Sequence, residues 1–316
     1  MDRRTFLKHC LTSGLAIGAG LAFPVFGRAA APVRGEENVR IRSAAARIPD
    51  LVAVRGAEPE RMFDHAISAL GGMERFVKRG QTVVIKPNVS WNVEPEKGAT
   101  TNPVLISRIA EHCFQAGARK VYVFDHTLDS WQLAYRTTGM TRHVRAAGAE
   151  LVPGNSETYY QKTRVPGATT LETVGIHELV LESDVFINVP ILKQHGSTLI
   201  TCALKNLMGV VWDRNFYHYR GLHQCIADFP LARKPDLNVV DAYLVMKSGG
   251  PRGTSYRTVI EPMKTQIVSP DIVAADSAAA LTWGSDASAV PYIGMAERHG
   301  YGVSDLDMLA IQRIVL

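Results

Sequence analysis

Apolar, β-branched runs without polar alternation recur along this chain, each followed by a stretch of helical spacing. That order restricts the fold more than any other feature. Thr82-Val83-Val84-Ile85 has no polar face, as expected of a strand covered on both sides. Residues 50–55, 121–124, 151–152, 184–189 and 238–243 read as further strands. Between them, Met62, Ile67, Leu70 and Phe76 give residues 59–77 a helical face, and Leu105, Ile109 and Cys113 do the same after Thr101-Asn102-Pro103. That tripeptide supplies a capping residue and a proline at the first helical position. Residues 131–147, 271–283 and 292–298 also read as helices, and the polar segment 154–173 as an inserted loop or hairpin. Strand–helix alternation of this kind predicts an α/β body over 49–316, a mostly parallel sheet with helices on both faces. It leaves room for a small second lobe near 190–235.

Ahead of this body, Arg3-Arg4 precede an apolar stretch from Leu11 to Phe26, and small residues gather at Gly27 and Ala29 to Ala31. Paired arginines, an apolar region and a small-residue exit form the pattern of a twin-arginine export signal. Residues 1–31 are therefore expected to be the signal and 32–48 a linker. The protein would then be periplasmic or otherwise exported, with the twin-arginine translocation machinery as a partner. The apolar stretch is short of the ~20 residues a stable span needs, so no membrane span is expected after processing; an uncleaved anchor is the alternative. Without those 31 residues the chain has 31 basic and 29 acidic side chains, which gives no electrostatic case for nucleic acid. Cys113, Cys202 and Cys225 remain beyond the signal, with spacings that match no zinc or iron–sulfur pattern.

Ligands of open parallel sheets lie beyond the carboxyl ends of the strands. Four strand predictions bring polar groups there or nearby: Lys86 and Asn88, Asp125 and His126, Lys193 and His195, and Asp241 inside the last strand. A glycine-bearing loop entering a helix near Ser197 would aim N–H groups at an anion, with Lys205 and Asn206 further along. Lys86, Lys193 and Lys205 would bind a small anionic ligand. Asn88 and Asn206 would orient it, and Asp241 would add a polar contact. For Lys205 and Asn206, simple termination of a helix before Gly209 is an equal reading. His195 and Asp125 are the candidates for proton exchange, imidazole because its ordinary pKa lies near neutrality.

The series Val189-Pro190-Ile191-Leu192-Lys193-Gln194-His195 and Ala203-Leu204-Lys205-Asn206-Leu207-Met208-Gly209 resembles the hallmark of the domain of unknown function 362 family. Ile85-Lys86-Pro87-Asn88, Thr101-Asn102-Pro103, Ile226-Ala227-Asp228, Val240-Asp241-Ala242 and 269–276 are similar as well, so the resemblance covers about residues 80–300. It implies no assigned reaction. Many relatives carry a ferredoxin-like block of clustered cysteines, which this chain lacks, so no iron–sulfur motif is present. A divalent metal is the cofactor left open, with His126, His218, His223 and Asp228 as weak ligand candidates. His218 and His223 are five apart, about 140° around a helix, so a metal would need a loop between them. Two functions fit: an exported enzyme acting on a small anionic molecule, or a non-catalytic solute-binding or maturation protein serving another exported redox enzyme. The second draws on the lack of a nucleophile elbow, phosphate loop or dinucleotide fingerprint.

Overall fold

The computed structural model describes residues 47–316; the expected signal and nearly all of the linker lie outside the described residues. The described chain opens with β1 (Leu51–Arg55), α1 (Pro59–Ala69) and β2 (Thr82–Lys86), then α2 (Pro103–Gln115) and β3 (Lys120–Val123). Next come α3 (Trp131–Thr137), α4 (Met140–Ala146) and β4 (Glu150–Leu151), followed by a separate hairpin of β5 (Tyr160–Arg164) and β6 (Thr173–His177). The middle of the chain supplies α5 (Glu178–Glu182), β7 (Val185–Asn188), β8 (Ile191–His195), β9 (Leu199–Thr201) and α6 (Ala203–Asn206). It continues with α7 (Asn215–Arg220), α8 (Leu222–Asp228), β10 (Leu237–Ser248) and β11 (Val259–Ser269). The last elements are α9 (Ile272–Trp283), α10 (Pro291–Arg298) and β12 (Ile311–Val315).

The main sheet runs β12-β1-β11-β10-β7-β2-β3-β4, with β8 against β10 and β9 against β8. From β10 through β7, β2, β3 and β4 every pairing is parallel, whereas β11 runs antiparallel to both β1 and β10. The unbroken apolar runs follow from burial on both faces. Val84 and Phe186 enter one core cluster with α9, while Val83, Ile85, Val185 and Ile187 enter the other with α1 and α2. In α9 eleven of the twelve residues are buried, so this helix has no solvent stripe to show in its sequence. Asp271 caps its start by accepting from Ala274 N, and Gly284 at φ 103° ends it.

Several expectations change. The segment 190–235 does not stand apart, because its buried residues Leu192, Ile200, Leu204 and Phe229 join the same cluster as Val240 and Ile267. Residues 131–147 form two helices, broken at Gly139, which adopts φ 76°. No helix starts near Ser197; residues there turn the β8–β9 hairpin, in which Lys193 pairs with Thr201 and His195 with Leu199. β11 and β12 were not expected from the sequence. Pro262 and the polar residues Glu261, Lys264 and Gln266 disguise β11, and β12 reads Ile-Gln-Arg-Ile-Val on a partly exposed edge.

Candidate functional site

Successive strands leave β2 on opposite sides, β3 to one and β7 to the other, which opens a crevice at their carboxyl ends. Lys86 is the last residue of β2 and Asn188 the last of β7, while Asp125 follows β3. Lys193 comes from β8, and the one-turn helix α6 brings Lys205 and Asn206. All six are buried.

They form one connected network. Lys86 Nζ pairs with Asp125 Oδ1 at 3.0 Å and donates to Asn206 Oδ1 at 2.7 Å. Asn206 Oδ1 also accepts from Asn88 Nδ2 at 3.0 Å, and Asn206 Nδ2 donates to Asn188 Oδ1 at 2.8 Å. Asn188 in turn donates to Asn238 Oδ1 and Ala203 O, each at 3.0 Å. Lys193 Nζ donates to Asn88 Oδ1 at 2.9 Å and to Ala99 O at 2.5 Å. Asp276, buried on α9, accepts from Ala203 N at 2.5 Å and Leu204 N at 3.0 Å and so fixes the first turn of α6. Gly209 lies directly over the ion pair: a Cβ there would collide with Asp125 Oδ1 and sit 2.5 Å from Lys86 Nζ.

The network floors a cleft of about 170 Å³ lined by Lys86, Lys193, Lys205 and Arg214, with Asn88, Asn206 and Thr201 beside them. His195 and His218 also line it, and Trp91, Leu128, Met208 and Pro251 supply apolar surface. Clefts for drug-sized ligands run to roughly 300–1,000 Å³, so this one suits a small molecule. Lys205 Nζ has the weakly accepting Met208 Sδ at 3.4 Å as its hydrogen-bond partner, and Arg214 makes no ion pair among the described residues. The hydroxyl of Thr201 is buried without a partner among the described residues.

Burial dominates the protonation equilibria. It lowers Lys193 to about 7, helped by Lys86 and Lys205 and opposed by Asp125. Burial also lowers Lys86 to about 8, against the attraction of Asp125, and Lys205 to about 8, reinforced by Arg214. His195 falls to about 3, chiefly through burial and then through Lys205 and Lys193. Its Nδ1 accepts from Ser197 N at 3.1 Å, a bond only the unprotonated nitrogen can make.

Of the residues singled out from sequence, the structure thus gathers Lys86, Asn88, Lys193, His195, Lys205 and Asn206 around one cleft. Asp125 stands behind Lys86 and does not line it; its second oxygen is taken by Val89 N at 2.7 Å. Asp241 opens onto a different cavity with Thr100, Asn102 and Tyr243. There it accepts from Asn102 N and Tyr243 N, which ties α2 to the sheet, and burial raises it to about 6.

The metal-ligand candidates are dispersed. The imidazole of His126 stacks on Trp212 at 5.2 Å and bonds Val211 O. His218 lines the cleft from α7, while His223 stacks on Tyr292 from α8, beyond a break at Gly221. Asp228 is occupied by Thr170 N, Leu171 N, Gln224 and His299. Among the described residues no group of three or more His, Cys, Asp or Glu side chains is placed to hold a metal ion, and the three cysteines are free and buried.

Sequence reasoning missed Arg214, Asn188, Thr201 and Gly209 as parts of the site. Asn188 and Gly209 sit within motif segments and could have been found as a strand-end amide and a close-packed glycine. Arg214, an arginine beside Asp213 in a polar loop, carries no such signal.

The model of the family described as Domain of unknown function (DUF362) matches residues 83–281, which contain every cleft-lining residue named above. The chain belongs to this family. A thylakoid-associated protein of Synechocystis sp. is 24% identical over 242 residues, covering 74% of this chain and 73% of that protein. Among solved structures, the lactate racemase apoprotein from Thermoanaerobacterium thermosaccharolyticum aligns with a TM-score of 0.41 and 12% identity, over 62% of this chain and 50% of its own. A protein from Thermotoga maritima aligns at 0.46 and 12%, over 72% of this chain and 60% of its own. This chain therefore spans only half to three-fifths of those two structures. Likeness of that degree leaves the chemistry of this DUF362 protein to be argued from its own cleft.

Proposed function

We propose that this DUF362 protein is an enzyme acting on a small anionic molecule held at the carboxyl edge of the sheet. One observation carries the reading: two cations without a carboxylate partner among the described residues, the buried Lys205 and the half-buried Arg214, face the same small cleft as Lys86 and Lys193. Among the described residues these four cations, the three lysines buried, stand against the single carboxylate of Asp125, and burying charge without compensation is costly. A carboxylate or phosphate supplies the missing charge, and Arg214 offers it a planar donor pair. Thr201 adds a hydroxyl, while Trp91 and Leu128 pack against whatever carbon skeleton the anion carries.

For proton exchange the cleft offers its lysines rather than its imidazole. His195 near 3 is a weak base at neutral pH, and Asp125 is committed to Lys86 and Val89. Lys193, near 7, is balanced between its two forms at physiological pH. That balance favours a catalytic role over passive solute binding, which needs only permanently charged donors. The test is a thermal-shift titration with acetate and inorganic phosphate, comparing the natural protein with Lys205→Met and Arg214→Gln. One charged hydrogen bond is worth about 1.5–3 kcal/mol, so each variant should lose tenfold or more in affinity. Equal stabilisation of all three folded proteins would refute the site. The Arg3-Arg4 segment further supports export by the twin-arginine route. Replacing both arginines by lysine should then leave the protein in the cytoplasmic fraction.

A further inference from the structure

The cleft lysines are not equivalent. Lys86 Nζ is neutralised by Asp125 at 3.0 Å and covered by Gly209. Lys193 Nζ is held by two neutral acceptors, the Asn88 side-chain oxygen and the Ala99 carbonyl, and among the described residues no carboxylate forms an ion pair with it. It has 1% exposure and still lines the cleft, and its two acceptors leave one valence of the nitrogen uncommitted. An amine that is desolvated, surrounded by other cations and lacking a counter-ion is held toward its free-base, nucleophilic form.

We propose that Lys193 is a covalent catalyst whose amine attacks the carbonyl carbon of a small carboxylate-bearing aldehyde or ketone and forms an imine with it. This rests on the anion-binding reading, since Lys205 and Arg214 must hold the carboxylate for the carbonyl to reach Nζ. The nitrogen lone pair forms the N–C bond while the C=O π pair moves to oxygen, which takes up a proton. The nitrogen then loses a proton, and the hydroxyl, protonated in turn, departs as water. Amine and carbonyl give imine and water, with no oxidant or reductant consumed. Thr201, which lines the cleft opposite Lys193 in the β8–β9 hairpin and whose hydroxyl has no partner among the described residues, can donate to the developing alkoxide. Asn88 Oδ1 and Ala99 O orient the nitrogen and accept from it when it is protonated. Burial lowers Lys193 to about 7, so at neutral pH far more of it is unprotonated than of an exposed lysine near 10.4, which is almost wholly charged.

The test uses glyoxylate, the smallest aldehyde that carries a carboxylate, with borohydride at neutral pH and peptide mass spectrometry. Hydride adds to the imine carbon, so the modified lysine gains the mass of one glyoxylic acid less one oxygen atom. Lys193 should be modified at least about tenfold faster than the exposed Lys162 and Lys234, because far more of it is free base. Phosphate should slow its modification, and Lys193→Arg, which keeps a charge but has no amine to condense, should lose that adduct. The natural protein alone decides the matter if the variant fails to fold. Modification of Lys193 no faster than of Lys162, with phosphate still stabilising the protein, would overturn the imine and leave the anion site standing. Absence of both phosphate stabilisation and selective modification would remove the imine and the anion reading together.

Discussion

Gly209 shows at the scale of one residue how closely this site is packed. Its missing side chain leaves the space that Lys86 and Asp125 occupy. Gly209→Ala should therefore split the ion pair or push α6 outward, costing about 1–3 kcal/mol as overpacking usually does, with a matching loss of anion affinity. Urea denaturation combined with phosphate titration measures both. Asp125→Asn should be harsher. Removing one member of a buried pair costs about 3–5 kcal/mol, unless Lys86 gives up its proton, and its position near 8 makes that escape inexpensive. The variant should thus lose less stability at pH 9 than at pH 7, which paired denaturation curves would show. Lys86, Asn88 and Lys193 were legible in the sequence because each lies just at or beyond the end of a strand prediction, whereas Lys205 and Asn206 stood out in the segment read as a helix before Gly209. The behaviour of His195 was not legible, because its depressed pKa comes chiefly from burial and then from Lys205, which the folded chain brings near, with Lys193 adding to them from two residues away.

Among the elements, α6 matters most. A four-residue helix cannot hold itself, and here Asp276 of α9 takes its first two N–H groups. Asp276→Ala would leave those two buried donors unpaired, at about 1–3 kcal/mol each, and would loosen Lys205 and Asn206 together. Hydrogen exchange should rise at 203–206, and phosphate affinity should fall; Asp276→Asn, which keeps one acceptor, should fall between. Sequence pattern found the strands that are covered on both faces, since burial on both sides leaves a run with no polar residue. It misplaced a helix at Ser197, because Gly196 and Ser197 suit the tip of a hairpin as well as a helix entry. The pairing of Lys193 with Thr201 that settles the matter is a contact across the turn.

Over the whole molecule, three buried lysines should leave a mark on stability. Burial holds Lys193 near 7 and Lys86 and Lys205 near 8, whereas in the unfolded chain all three titrate near 10.4. Between about pH 7 and 8.5 the unfolded chain therefore binds more protons, and stability of the ligand-free protein should rise with pH. Below pH 7 the cost of burying the charges is fully present. Histidines of the unfolded chain are largely discharged above pH 7 and its thiols, near 8.5, ionise only toward the upper edge, so the three lysines outweigh both in this window. Denaturation midpoints at pH 7 and 8.5 check the sign.

An anion reverses that slope, because it binds the protonated amines and draws protons in. Isothermal titration of acetate, glyoxylate and phosphate at pH 6.5 and 9, in buffers of different ionisation enthalpy, tests this most directly. Affinity should be higher at pH 6.5 for at least one of the three, with net proton uptake on binding near pH 7.5. Affinity unchanged or tighter at pH 9, or no binding of any of the three, would contradict an anion site built from these lysines.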